Sequence, residues 1–205
     1  VDPFYVYAFL KNPEYESNIA GKVLVNIIDD LVRGIVPAYD WALMDEDKYE
    51  ESRLRKYIKS NTLYDLASEN GLTTAALLWP VSGRSSIDYN LTEIFAPKPW
   101  QNQLVMSALS GSIKFQLDLN KRFGHLRKGL SQPALDNFVH ESAKYTITKY
   151  KPNLLLIHYT DVDTNRHHYG YDSKEANEAL LRHNERLGEI IQALKEANIF
   201  EESTI

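Results

Sequence analysis

Apolar positions along the chain recur at helical spacing in some segments and as short continuous runs in others. Between Glu16 and Val32 they follow the helical period, which predicts an amphipathic helix. The segment Thr62–Trp79 predicts a short helix that Thr62 caps and Gly71 ends, and then a buried strand over Thr73–Trp79. The residues expected to face inward from this short helix are Leu63, Leu66 and Ala67.

A second helix-then-strand unit follows in the middle of the chain. Gln101–Phe123 is predicted to be helical, and Ser131 is predicted to cap a further helix that extends to Tyr150. The strand Asn153–His158 comes next, and its aliphatic run Leu154–Ile157 is typical of a central parallel strand covered on both faces. The residues expected on the buried face of the second helix are Leu135, Phe138, Val139, Ala143 and Ile147.

The last third of the chain adds a polar segment and a long helix. Thr160–Tyr171 is predicted to be an irregular loop, and Asp172 with Glu175 is predicted to form a capping box that starts the helix. The apolar stripe of this helix is expected to contain Ala176, Leu180, His183, Leu187, Ile190, Ile191 and Leu194. The order of elements predicts an α/β fold, with a mostly parallel sheet and helices on both faces.

Composition narrows the classes of function. The chain of 205 residues is 43% hydrophobic and 25% charged, which is typical of a globular protein. Its formal net charge of -5 gives no general attraction for nucleic acid, so binding to a nucleic-acid duplex is not expected. No apolar stretch is long enough to span a bilayer. The absence of cysteine means that any metal here must be bound by His, Asp or Glu.

The candidate chemistry lies directly after the clearest predicted strand, where α/β proteins bind ligands. Asp163 and His167 combine a carboxylate oxygen with an imidazole nitrogen, and their four-residue spacing allows one turn to present both. Such a pair suits zinc or manganese, at bond lengths of about 2.0–2.2 Å. Spacing alone equally allows a polar loop with capping aspartates and exposed histidines.

These residues also resemble a known family. The stretch Asn153–Gly170, with its strand and the motif Asp163-x-x-x-His167-x-x-Gly170, resembles the segment that supplies metal ligands in nucleotide pyrophosphatase/phosphodiesterases of the alkaline phosphatase superfamily. Upstream, Thr62–Ala75 and Trp79-Pro80 resemble the helix–strand unit of that family, so the resemblance extends from Thr62 to the end. It implies a partial alkaline phosphatase-like core.

The resemblance further implies two divalent metal ions, with zinc favoured, and a threonine nucleophile that forms a covalent intermediate with a small phosphodiester or nucleotide substrate. It places Asp163 and His167 on one of the two metals. No threonine precedes Thr62, so the nucleophile is expected outside this chain, as are the Asp-His-Gly ligands that follow the family's next strand.

The two ends of the sequence suggest an internal fragment. The chain begins at Val1 without Met, and Ser203–Ile205 is predicted to begin a strand. We therefore expect residues 1–205 to be one incomplete phosphodiesterase catalytic domain, with residues 1–60 peripheral and residues 61–205 core-like. The isolated chain is expected to be inactive. Alternatives are a phosphomonoesterase or metal-dependent phosphomutase of the same superfamily, and a non-catalytic domain of this fold.

Other residues are weaker candidates and are given structural interpretations. His140, His158 and His183 are interpreted as core or surface histidines, and Asp161 as a capping or solvated residue rather than a third metal ligand. The basic group Lys121, Arg122, Arg127 and Lys128 could bind phosphate, although a solvated helix end is favoured. The remaining candidates are the turns Arg33-Gly34-Ile35 and Ser82-Gly83-Arg84 and the sequon Asn90-Leu91-Thr92.

Overall fold

The computed structural model describes residues 55–93 and 110–205, all of which belong to one compact unit, Tyr49–Ile205. The predicted helix between Glu16 and Val32, the turn Arg33-Gly34-Ile35 and the first part of Gln101–Phe123 lie outside the described residues. The regular elements are α1 (Leu63–Glu69), β1 (Thr74–Leu77), β2 (Tyr89–Leu91), α2 (Ile113–Phe123), α3 (Ala134–Tyr150), β3 (Leu154–Ile157), α4 (Asp161–Tyr169) and α5 (Lys174–Glu196). Short 3-10 turns occupy Arg55–Tyr57, Gly124–Leu126 and Phe200–Glu202.

The three strands form one parallel sheet in the order β2-β1-β3. Ala75 of β1 pairs with Tyr89 on one side and with Leu155 on the other. The parallel sheet confirms the predicted fold class, but β1 is the central strand of the described sheet, so the prediction of a central Asn153–His158 strand is wrong for this part of the chain. All four residues of β1 are buried, whereas those of β3 are half-buried, because β3 has one described neighbour.

Helices cover both faces of the sheet, as predicted. On one face, Leu77, Leu155 and Ile157 pack with buried residues of α2, α3 and α5 in the larger core. On the other face, Ala76 packs with Tyr64 of α1 in a smaller cluster. Successive strand residues point to opposite faces, which explains how one apolar run serves both clusters. Among the described helices, none is both long and apolar enough to cross a bilayer.

The first helix–strand unit forms where predicted. The Thr62 hydroxyl accepts from the Asp65 amide, and the Asp65 carboxylate accepts from the Thr62 amide, which completes a capping box. Leu63 and Leu66, however, are exposed, and the buried residues are Tyr64 and Ala67. Both pairs have helical i, i+3 spacing, so periodicity could not choose between them. Packing against the sheet selects the pair that contains the larger aromatic ring.

The helix α3 buries all five of the residues predicted for its inner face. Its start differs from the prediction, because the N-cap is Pro133 and no side chain caps the helix. The Ser131 hydroxyl donates to the Lys128 carbonyl instead, and only the Ser131 backbone carbonyl accepts from Leu135. The helix therefore begins slightly later than the sequence suggested.

Four further predictions in the last third of the chain are corrected. Thr160–Tyr171 is mostly the helix α4 rather than an irregular loop, and Ser173, not Asp172, caps α5 by accepting from the Ala176 amide at 3.1 Å. Ser203–Ile205 forms no strand with the described residues. On α5, Leu180 and Leu187 are exposed. The residues that α5 buries are Ala176, Ala179, Arg186, Ile190, Ala193 and Leu194. The helices α3 and α4 pack against α5, and Arg186 pairs there with buried aspartates of both helices.

Candidate metal centre

Asp163 and His167 lie together on α4, which begins shortly after β3 ends at the carboxyl edge of the sheet. One helical turn separates them, so their side chains share a face. The Asp163 Oδ1 and His167 Nε2 atoms are 3.3 Å apart, and the side chains are 64% and 42% exposed. A solute that reaches the carboxyl edge of the sheet can therefore reach both groups.

The geometry of this pair fits a shared metal ion. Two ligand atoms at about 2.0–2.2 Å from one zinc are roughly 3.3–3.6 Å apart when the coordination is tetrahedral. The observed separation of 3.3 Å is within that range. Within residues 55–93 and 110–205, no third His, Asp or Glu ligand atom lies within 4.8 Å of both. The pair can therefore supply two ligands and requires more from elsewhere.

The N-terminus of α4 is held by a carboxylate from another helix. Asp136 of α3 is fully buried, and its two oxygens accept from the backbone amides of Thr160 and Asp161, each at 3.0 Å. The Gln132 amide donates to Asp136 Oδ1 at 3.0 Å and to Thr160 Oγ1 at 2.6 Å. A negative charge at this position also interacts favourably with the helix dipole. Asp136 thereby fixes where α4 begins.

Asp161 fixes the same helix to α5 through buried charges. Its carboxylate accepts two hydrogen bonds from Arg182, at 2.8 and 2.9 Å, and one from Arg186 at 3.1 Å. Burial alone would raise the pKa of Asp161, but the hydrogen bonds and charge of Arg182 and Arg186 outweigh it and hold the pKa below its usual value. Asp161 is fully buried, so its predicted role as a capping or solvated residue is wrong.

This network was not predicted from the sequence, although one signal pointed toward it. Arg186 falls in the inward-facing register of α5, where a charge requires a buried partner. The structure supplies that partner from two aspartates, because Arg186 Nη1 lies 3.1 Å from Asp161 and 3.4 Å from Asp136. With α4 anchored on this inner side, Asp163 and His167 are directed away from the core.

Another group of potential ligands lies between α3 and α5. His140, Glu141 and Glu189 each place one ligand atom within 4.8 Å of the others, and they are the described residues that meet this condition. Lys144 Nζ lies 2.8 Å from a carboxylate oxygen of both glutamates and offsets one of their two negative charges. The cluster thus forms an ion-pair network around Lys144.

His140 is a core histidine, as the sequence suggested. It is 5% exposed, with Nδ1 2.9 Å from the Tyr159 hydroxyl and Nε2 3.2 Å from Glu189. Burial lowers the pKa of His140, although the nearby Glu189 partly opposes this effect. The ring is therefore neutral at neutral pH, and it joins the end of β3 to α5.

The weaker candidates are also placed by the structure. Asn90 of the sequon is 2% exposed, and its amide donates to the Ser82 carbonyl at 2.7 Å, so the folded chain does not present it for glycosylation. Ser82 donates to the Trp79 carbonyl at 2.7 Å, and the Arg84 amide donates to the Ser110 carbonyl at 2.6 Å. The turn Ser82-Gly83-Arg84 thus uses these groups internally.

Taken together, the parallel sheet, the helices on both faces and the Asp163–His167 pair define an α/β protein with a candidate site at the carboxyl edge of its strands. The family model for type I phosphodiesterase / nucleotide pyrophosphatase matches residues 32–205, so the chain belongs to that family. The family consists of phosphodiester hydrolases and is generally metal-dependent. Searches of curated proteins and of solved structures found no match.

Proposed function

We propose that this chain forms part of a metal-dependent hydrolase of phosphodiester or nucleotide pyrophosphate bonds, in which Asp163 and His167 bind one of two divalent metal ions. The family match supports the reaction class. The observation that carries the assignment of these residues is the 3.3 Å separation of Asp163 Oδ1 and His167 Nε2 on one exposed helix face. The donor set of one carboxylate and one imidazole favours zinc.

A bound zinc would supply Lewis-acid stabilisation of the negative charge that develops on the phosphoryl oxygens. The contribution of this chain is to hold the ligand pair in position. Asp136 fixes the start of α4, and Asp161 fixes its inner side through Arg182 and Arg186. Ligands held in this way lose little conformational entropy when a metal binds, which supports affinity.

The proposal assigns neither the catalytic nucleophile nor the remaining metal ligands to residues of this chain. The resemblance to the family implies a threonine that attacks phosphorus, and neither Asp163 nor His167 can take that role while binding a metal. We therefore propose that turnover belongs to a longer protein that contains this chain. The isolated chain is expected to bind zinc weakly and to hydrolyse nothing.

The test compares diester and monoester hydrolysis by the intact gene product that contains this chain. Bis(p-nitrophenyl) phosphate should be hydrolysed faster than p-nitrophenyl phosphate, EDTA should abolish the activity, and added zinc should restore it. Asp163→Ala and His167→Ala should each lower kcat/KM at least about 100-fold and reduce bound zinc. Zinc content is measured separately by mass spectrometry of the desalted protein.

His168→Ala is the matched control. His168 is an exposed histidine on the same helix, and its Nδ1 lies 2.8 Å from the Thr164 carbonyl rather than beside Asp163. Its loss should leave zinc content and turnover unchanged. Full zinc content and full rate in Asp163→Ala would refute the metal assignment. Faster hydrolysis of the monoester would favour the phosphomonoesterase alternative, and a complete absence of turnover in the intact protein would favour a non-catalytic domain.

A further inference from the structure

A cavity lies at the carboxyl edge of the sheet, and it includes none of the residues assigned to the metal. Its volume is about 470 Å³, and it is bounded by the ends of β1 and β2, the end of α2 and the first half of α3. Leu78, Leu135 and Phe138 contribute apolar wall, and Asn120 and Arg127 contribute polar groups. Apolar walls with a few polar groups are typical of small-molecule sites.

The mixed lining is the first sign that the cavity takes a ligand, because it combines apolar residues with the polar side chains of Asn120 and Arg127. Thr92 also lines the cavity and is 2% exposed, but its Oγ1 is fully buried and has no hydrogen-bond partner among the described residues. A ligand in the cavity therefore does not reach this hydroxyl.

Arg127 is the second and independent sign. Its guanidinium packs over the Phe138 ring at 5.2 Å, and Nη2 donates to Asn120 Oδ1 at 3.0 Å. No carboxylate pairs with it in the described part of the chain, whereas the neighbouring Arg122 is paired with Asp118 at 2.9 Å. Burial lowers the pKa of Arg127, which reflects a cation held partly out of water without a counter-charge.

These contacts separate Arg127 from the rest of the basic group that the sequence placed at the end of α2. Arg122 is paired along its own helix, and Lys121 and Lys128 are exposed. Only Arg127 of these four lines the cavity. Its planar guanidinium can donate two parallel hydrogen bonds to a phosphate or carboxylate, and Asn120 and Phe138 already restrict its orientation.

We propose that this cavity binds a small organic anion, with its phosphate or carboxylate group at Arg127 and its apolar body against Leu78, Leu135 and Phe138. The anion supplies the counter-charge that Arg127 lacks. The apolar body of the ligand would cover the apolar walls, which a bare inorganic ion would leave in contact with water. The proposal stands independently of the metal-site assignment.

The experiment titrates the zinc-free chain, in the presence of EDTA, with four probes by isothermal calorimetry and NMR. Phenyl phosphate and benzoate carry both an anionic group and an apolar ring, inorganic phosphate carries only the anion, and benzyl alcohol carries only the ring. At least one of the first two should bind more tightly than the last two. The comparison of phenyl phosphate with benzoate identifies the preferred anionic group.

One substitution connects binding to Arg127. Arg127→Met should weaken binding of the preferred probe at least about tenfold, because it removes a charged hydrogen-bond donor but keeps an apolar stem. Thr92→Val should leave the affinity unchanged, because the Thr92 Oγ1 is buried behind the cavity wall.

Lys128→Met and Asp163→Ala are the controls and should bind the preferred probe with unchanged affinity. The proposal is overturned if neither phenyl phosphate nor benzoate binds at about 10 mM, or if Arg127→Met binds the preferred probe as tightly as the unsubstituted chain. Equal affinity for inorganic phosphate would overturn the role of the apolar walls. Equal affinity for benzyl alcohol would overturn the role of Arg127.

Discussion

At the scale of single residues, the aspartates of this chain differ in what surrounds their carboxylates. Asp163 is exposed beside His167, whereas Asp161 is fully buried between two arginines. Asp136 is buried at the start of another helix, and Asp65 closes a capping box on its own helix. Only the exposed carboxylate of this set can bind a metal without breaking hydrogen bonds that stabilise the fold. The choice of ligand is therefore set by local partners, not by residue type.

Asp65 provides a prediction about pH at this scale. Burial alone would raise the pKa of Asp65, but hydrogen bonds from Arg55 and Thr62 outweigh it and lower the pKa to about 2. Its pKa in the unfolded chain is about 3.9, so between these values the unfolded state binds more protons. The contribution of Asp65 to stability is therefore complete above about pH 4 and is lost as the pH falls toward 2.

We expect Asp65→Asn to lower the free energy of unfolding at neutral pH and to reduce its dependence on pH between about 2 and 4. Arg55→Met should act in the same direction, because Arg55 Nε donates to Asp65 at 2.9 Å. Urea unfolding monitored by circular dichroism at several pH values measures both effects. Identical pH profiles for Asp65→Asn and the unsubstituted chain would contradict the prediction.

At the scale of elements, α4 is held in place by charge rather than by apolar packing. It has nine residues, and Asp161 is the only one of them that is buried. A helix this short has little stability of its own in water. The hydrogen bonds from Thr160 and Asp161 to Asp136, and from Arg182 and Arg186 to Asp161, therefore determine its position. The position of the proposed metal ligands depends on those same contacts.

We expect Arg186→Met to lower the free energy of unfolding by about 3–5 kcal/mol, because it removes a buried cation that contacts two buried carboxylates. Arg122→Met is the matched control. Arg122 pairs with Asp118 on an exposed helix face, so its loss should lower the free energy of unfolding much less. Guanidinium unfolding of the two variants checks the difference.

The same Arg186→Met variant should also loosen α4 selectively. Amides of Asp161–Tyr169 should exchange with deuterium faster than in the unsubstituted chain, beyond the change seen in α3, and mass spectrometry of peptides measures this. Equal losses of stability in Arg186→Met and Arg122→Met would show that the buried network contributes no more than a surface pair. Unchanged exchange in α4 would show that another contact anchors the helix.

At the scale of the whole molecule, the described sheet is asymmetric. The central strand β1 has neighbours on both sides and is fully buried, whereas β3 has β1 as its one described neighbour and is half-buried. Two core clusters meet at β1, one on each face of the sheet. Opening β1 therefore requires the loss of hydrogen bonds to two described strands, while β3 loses hydrogen bonds to one. Local stability should thus decrease from the centre of the sheet outward.

We expect amides of Thr74–Leu77 to exchange with deuterium more slowly than those of Leu154–Ile157 in the isolated chain. Both segments have four residues, so strand length does not predict a difference. Hydrogen exchange measured by mass spectrometry or NMR tests this. Equal protection of the two strands would indicate that β3 is covered on its outer edge. The sheet would then extend beyond the described strands.

Much of the element order could be predicted from the sequence, because it depends on contacts between near neighbours. The capping box at Thr62, the buried face of α3 and the aliphatic strand β3 each have a local pattern that the structure confirms. The short strand β2 was not predicted, because three residues are too few to show a period. The helix α4 was predicted as a loop, because it has almost no apolar pattern and owes its position to distant partners.

The candidate site also combines features that could be predicted from the sequence with features that only the tertiary structure shows. The family-like motif, and the hypothesis that one turn presents both Asp163 and His167, could be predicted from the sequence, but the helix that brings them together was predicted as a loop. Only the tertiary structure decided that Asp161 is buried between arginines and that Arg127 faces a cavity without a counter-charge. Asp136, Asp161 and Arg186 lie 25 or more positions apart in pairwise separation, and no local period relates them. Their contacts exist because the packing of α3, α4 and α5 excludes water, and a charge placed there requires a partner whatever its distance along the chain.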